Sequence, residues 1–329
     1  MSIENITSIT PGNNKLYGDG IIGISNSTNI ELKNIHINGS YSQKDKYGYG
    51  ICLSGVSNIT IKRISGKAPW GIFYVDNSQN VLVDDCDINR FDLHCYGKDF
   101  TIKKSTFSGR PNAYASFYGT LIYDNCTFND SDPIGLRQDY NANTPFDAIF
   151  NNCTFNFTQN ANCILRINGL SSEMNSRKEL HNKCLPNLHI NNCEVNFSKD
   201  TYRWFIAVTG KIQWNVPIDY MLNWDIQNIY VNGDKPFDLF SSEINTKNKS
   251  CINLKNIIVN DGCSKESIEL THLTFGDNIS VLLNGTQIKR TAYTLGIKSS
   301  YVFLSCTLLT LLVLSNTFFK LKNKKQVTI

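Results

Sequence analysis

YDNCTF, residues 123–128, and FNNCTF, residues 150–155, are near-copies of one hexapeptide: apolar, two polar, small or aliphatic, any residue, apolar. The same pattern recurs as LKNIHI from Leu32, IKRISG from Ile61, VDDCDI from Val83 and IKKSTF from Ile102. It continues as INNCEV from Ile190, IQNIYV from Ile226, LKNIIV from Leu254 and LTHLTF from Leu270. Only IKRISG departs at its last position, where Gly66 stands. Successive copies start 16 to 40 residues apart. Such periods mark repeat architectures, in which a unit buries its apolar face only by stacking on its neighbours. Alternating apolar positions, β-branched and aromatic residues and terminal Asn or Gly point to short strands. No sustained 3.6-residue period supports helical repeats, and four-stranded blades need longer units.

One coil of roughly 22 residues with two or three short strands describes a parallel β-helix of about ten coils, rising by the strand spacing of about 4.8 Å. The fourth hexapeptide position then forms an interior ladder: Ile35, Ile64, Cys86, Ser105, Cys126, Cys153, Cys193, Ile229, Ile257 and Leu273. Four of the 11 cysteines are thereby explained as small buried residues. The odd cysteine count forbids complete pairing within one chain, there is no CxxC, and the five histidines show no metal-ligand spacing. No metal or cofactor is implied. The position before the ladder is often Asn (Asn34, Asn125, Asn152, Asn192, Asn228, Asn256), as expected where the chain turns between strands.

Composition agrees with a large folded body: 41% hydrophobic and 18% charged residues in 329 exclude a disordered chain. The 32 basic and 28 acidic residues nearly balance, and part of the excess lies at Lys320, Lys322, Lys324 and Lys325. No basic stripe argues for nucleic acid, whereas a glycan or another polar polymer fits. The start, MSIENITSITPG, has no secretory-signal pattern, and the first recognisable strand begins near Asp19, which leaves little room for a capping element. Residues 1–295 are read as the solenoid domain and 296–329 as a hydrophobic C-terminal segment with a lysine-rich tail. Within the latter, 301–319 carries no charge and reads either as a transmembrane helix flanked by lysines or as terminal strands.

DGIIGISNSTNIELKNIHI (19–37) and GYGICLSGVSNITIKRI (48–64) resemble the right-handed parallel β-helix of the pectate-lyase-like superfamily, most clearly over 18–160. That superfamily includes polysaccharide lyases, glycoside hydrolases and phage tailspike depolymerases. The resemblance implies a polysaccharide partner, an extracellular, cell-surface or virion location and, from tailspike-like relatives, a homo-trimer. The polygalacturonase series NTD, DD, GHG and RIK is missing in that order, so catalytic residues do not transfer.

Candidate chemistry therefore comes from a second strand preceding each hexapeptide: GYGICL, PWGIFY, RFDLHCY and NAYASFY. Simple alternation with Ile51, Ile72, Leu93 and Ala115 inward places Gly50 and Cys52, Gly71 and Phe73, Asp92 and His94, and Tyr114 and Ser116 outward. Asp92 and His94 share a face between Arg90 and Arg110: a carboxylate orienting an imidazole, with a guanidinium for an acidic sugar or developing charge. Phe73 and Tyr114 are candidates for stacking on sugar rings, with Trp70, Lys67 and Arg137 along the groove. These residues point to a depolymerase, lyase or glycoside hydrolase. The competing reading is a non-catalytic glycan-binding, adhesive or structural β-helix, including one anchored in a membrane through 301–319.

Overall fold

The computed structural model describes residues 1–11, 20–40, 48–68, 70–93, 97–108, 111–113, 118–129, 134–137, 146–157, 163–168, 186–197, 204–209, 222–233, 238–244, 248–259, 273–275 and 278–287. These residues form strands and turns without helix, arranged as one 16-stranded and one 10-stranded sheet. Every pairing is parallel except the last, where Thr286–Gln287 folds back on Ile279–Leu283. Asn284 and Gly285 make that hairpin at φ 49° and 81°, the conformation of a two-residue primed turn. Among the described residues no helix is long and apolar enough to cross a membrane, and segment 301–319 lies outside them.

The hexapeptides build the long sheet. Thr28–Ser40 pairs with Ser57–Lys67, and Asn187–Phe197 with Asn223–Asn232 and then Ser250–Val259, each position opposite its counterpart in the next copy. In the middle copies the turn residue splits the strand, as in Gln79–Asp84 and Asp87–Ile88, and the two halves pair separately. The split falls on the third position. Asn34, Asn125, Asn152, Asn192, Asn228 and Asn256 have φ of 51° to 55°, as do Arg63 and Asp85 near these values. Asparagine tolerates this left-handed region better than other side chains. Stacking adds amide bonds: Asn192 Nδ2 donates to Asn152 Oδ1 at 2.7 Å, and Asn256 Nδ2 to Asn228 Oδ1 at 2.9 Å.

Behind each turn residue the expected ladder enters the core. Ile35, Ile64, Cys86, Ser105, Cys126, Cys153, Cys193 and Ile229 are all buried. The small members also satisfy the turn. Ser105 Oγ donates to Lys103 O at 2.8 Å, Cys193 Sγ reaches Asn191 O at 3.3 Å, and Ser105 Oγ accepts from Cys86 N at 3.1 Å. The closing apolar position stacks likewise: Phe107, Phe128 and Phe155 lie 5.2 Å apart, tilted by 11° and 9°. Each buried phenylalanine contributes about 1.5–3 kcal/mol from burial.

Two expectations are corrected at the ends. Ser2–Pro11 is a further copy, in register with Thr28–Ser40, with Asn5 at φ 59° and bonded to Asn34 at 3.0 Å. The strand signal thus starts well before Asp19. At the other end, Leu273–Phe275 pairs with Asp238–Ile244 in the short sheet, so Leu273 does not extend the ladder. Asn284, at φ 49°, is the residue that meets Asn256 in the long sheet, accepting from its backbone N–H at 2.9 Å.

The two sheets share one hydrophobic core. Phe155 of the long sheet meets Phe205 of the short one at 6.0 Å, and a Cβ on Gly50 would strike Ile37 across the interior.

Candidate functional site

The short sheet carries Gly20–Ser25, Tyr49–Ser54, Gly71–Asp76, Phe91–Leu93 and Pro111–Ala113 in order. Its register is Ile51 opposite Phe73 opposite Phe91, and Leu53 opposite Val75 opposite Leu93. Simple alternation fails in Gly71–Asp76. Ile72 and Phe73 are both wholly buried, and both backbone amides donate to Arg90 O, at 3.1 and 3.3 Å. Two residues opposing one is a β-bulge. It corrects the reading of Phe73: the ring lies in the core 5.1 Å from Phe91, not on the outer face.

The opposite side of the sheet holds a continuous column, Cys52, Tyr74 and Asp92, with the backbone of Asn112 next in register. Asp92 stands between Phe91 and Leu93, which point into the core. Arg90, two residues earlier, joins it through Nε–Oδ1 at 2.6 Å. Tyr49, two strands away, donates its hydroxyl to the other carboxylate oxygen at 2.6 Å. Gly71 is in register with Tyr49, and a Cβ there would press on Arg90 Cβ at 2.9 Å. The missing side chain lets Arg90 fold over the strand and Tyr49 reach past it. The guanidinium carbon then sits 4.2 Å over the Trp70 ring, a cation–π contact. Tyr74 packs on Tyr49 at 5.2 Å and donates to Asp76 Oδ2 at 3.3 Å.

Burial sets the chemistry of this cluster. Asp92 is 0% and Arg90 6% exposed. Asp92 thus orients groups around it rather than meeting a polymer itself, while half-buried Trp70 and Tyr74 retain accessible surface. His94, Arg110 and Tyr114 lie outside the described residues, as does the side chain of Arg137, whose backbone pairs with Asn168. Lys67 is exposed at the end of a long-sheet strand opposite Asn38, so register does not bring it to Asp92.

Two contributors, Tyr49 and Arg166, were not visible to pattern reading. Tyr49 is 43 residues from Asp92, and its signal is Gly71, in register with Tyr49 and packed against Arg90. Asp76 keeps Oδ1 buried without a hydrogen-bond partner. Arg166, in the unremarkable strand Cys163–Asn168, continues the Asp92 column. Asp84 belongs to the long sheet, where Lys62 and Lys103 approach its Oδ2 at 3.9 and 3.8 Å.

Among the described residues no group of three His, Cys, Asp or Glu side chains is placed to hold a metal ion. Two ladder thiols, Cys86 and Cys153, are held protonated, while the hydrogen bond with Cys153 lowers Cys193. Burial pushes Cys86 up to about 12, and hydrogen bonding to Cys126 and Cys193 together with burial raises Cys153 further. No family model matches the chain, and neither do any of the curated proteins or solved structures.

Proposed function

We propose that the chain is a right-handed parallel β-helix that works at a cell or virion surface and depolymerises a polysaccharide on the outer face of its short sheet. The supporting observation is which polar side chains are buried: Ser78, Ser105, Ser250, Arg90 and Asp92 among the described residues. The serines belong to the repeat, each donating to a carbonyl two residues back. Arg90 and Asp92 have no such role. Desolvating an ion pair typically costs more than apolar residues of the same volume would, so its retention favours function over stability.

In this reading Asp92 is a positioning residue, held by Tyr49 and Arg90. His94, two residues on, exchanges the proton with the glycosidic centre, and Trp70 and Tyr74 carry sugar rings. The complete enclosure of Asp92 supports a second reading, glycan adhesion without cleavage.

The test is product analysis of a panel of bacterial and plant polysaccharides incubated with the parent chain, Asp92→Asn and His94→Ala. Cleavage by the parent that falls at least about 100-fold in both variants, with unchanged melting, supports the enzyme. Undiminished cleavage in the variants overturns the site. A parent that shortens no polymer overturns the enzyme, and retention of intact polymer then identifies the adhesin.

A further inference from the structure

The outer face of the long sheet carries a second pair of chemically matched side chains. His36 and Ser65 are 29 residues apart in sequence and opposite each other in register, and Ser65 Oγ lies 2.9 Å from His36 Nδ1. That is within general-base reach, and with the ring proton on Nε2 the Nδ1 lone pair accepts the serine hydroxyl proton. His36 stands between buried Ile35 and Ile37 and is exposed, and Ser65 is half-buried, so a molecule in solution reaches both. Asp87 follows on the next strand, on the far side of Ser65 from His36, and stands outside the pair.

The backbone beside this pair departs from the repeat. Ser65 precedes Gly66, the one closing position among the ten hexapeptides that has no apolar side chain. Its φ is 123°, and a Cβ there would run into the carbonyl of Ile37, the residue after His36. Giving up a core side chain for strained backbone costs stability, and such strain collects at working sites. Here it holds the strand of Ser65 close against that of His36. Lys67 leaves the same face two residues on, opposite Asn38. Asn38, Lys67 and Asp87, exposed around Ser65, are all polar.

We propose that Ser65 and His36 form a second active site, a serine–histidine dyad that removes short acyl groups, such as acetyl, from the hydroxyls of a polysaccharide. Ser65 Oγ attacks the ester carbonyl carbon while His36 takes its proton. The bond from that carbon to the sugar oxygen breaks, and His36 returns the proton to the departing oxygen, leaving acyl-Ser65. Water then gives a proton to His36 and its oxygen to the acyl carbon. The bond to Ser65 breaks, and Ser65 recovers the proton as the carboxylic acid leaves. Lys67 offers its ammonium to the carbonyl oxygen as negative charge collects there. A polar face has nothing to hold a long acyl chain, which selects a short one. The dyad stands on its own geometry, and only the sugar as alcohol rests on the polysaccharide reading above.

The test follows acetate release by the full chain from O-acetylated xylan, O-acetylated alginate and 4-nitrophenyl acetate, with fluorophosphonate labelling located by peptide mass spectrometry. The parent is predicted to release acetate and to take the label on Ser65. Ser65→Ala abolishes both, and His36→Gln lowers kcat at least about 100-fold with little change in KM. Melting followed by circular dichroism shows each variant folded. Lys67→Gln lowers kcat and keeps the label; an unchanged kcat there overturns the role of the lysine and leaves the dyad. Polymer shortening, measured alongside, is unchanged in the Ser65 and His36 variants, so failure of this site is told apart from failure of the one at Asp92. Release from 4-nitrophenyl acetate but from neither polymer retains the dyad and overturns the sugar ester. Undiminished release by folded Ser65→Ala, or a parent that neither cleaves the esters nor takes the label, overturns the site.

Discussion

Replacing the Tyr49–Arg90–Asp92 network all at once separates a site from a structural brace. The two charged side chains are 7% and 0% exposed and 2.6 Å apart, and Tyr49 closes the second carboxylate oxygen. Asp92→Ala alone leaves a guanidinium buried beneath Trp70 without its counter-charge, a loss of about 3–5 kcal/mol. The triple change Tyr49→Phe, Arg90→Met and Asp92→Leu removes both charges and the hydroxyl together, so neither member of the ion pair is left buried without the other. By the same reasoning it is near neutral, or more stable by about 1–4 kcal/mol. Urea unfolding of parent, single and triple variants gives the comparison, read at equal m because repeat folds do not always unfold in one step. Polymer cleavage is measured alongside and is predicted to vanish in the triple variant. A triple variant as unstable as Asp92→Ala would refute the argument, since the network would then be holding the fold.

Two other outcomes follow from the ladders. Alkylation of the native chain at pH 8 is predicted to spare Cys86, Cys126, Cys153 and Cys193, all at most 3% exposed, and to reach them only on unfolding; rapid labelling of any in the folded state contradicts the interior assignment. Because burial raises Cys86 from 9 to about 12, the folded chain holds a proton that the unfolded one has lost, so this thiol's contribution to stability declines as pH rises from 9 to 12, measurable as a falling urea midpoint. Gly66→Ala is predicted to cost at least about 1–3 kcal/mol, because φ is 123° and a Cβ would run into the Ile37 carbonyl; an unchanged melting curve would refute that strain.

The hexapeptide was enough to read parallel stacking, the asparagines at the turns and the cysteine ladder, because each depends on residues six or fewer apart repeated in register. The second strand was harder. Its bulge places Ile72 and Phe73 inward together, and a period-two rule has no place for that, so Phe73 was read onto the wrong face. The nearness of Arg90 to Asp92 follows from their spacing, but the enclosure of Asp92 depends on Tyr49, two strands away and admitted by Gly71. Arg166 was invisible for a related reason: CILRIN is an ordinary strand sequence until register sets it between Gly135 and Ala207. The N-terminal copy IENITS escaped notice because it ends in Ser8 rather than an apolar residue.

A crystal structure of the chain with a bound oligosaccharide tests the central claim most directly. The account predicts sugar rings on the outer face of the short sheet, against Trp70 and Tyr74 beside the Asp92 column. Sugar bound instead along the asparagine ladder of the long sheet, with the Asp92 column bare, would contradict it.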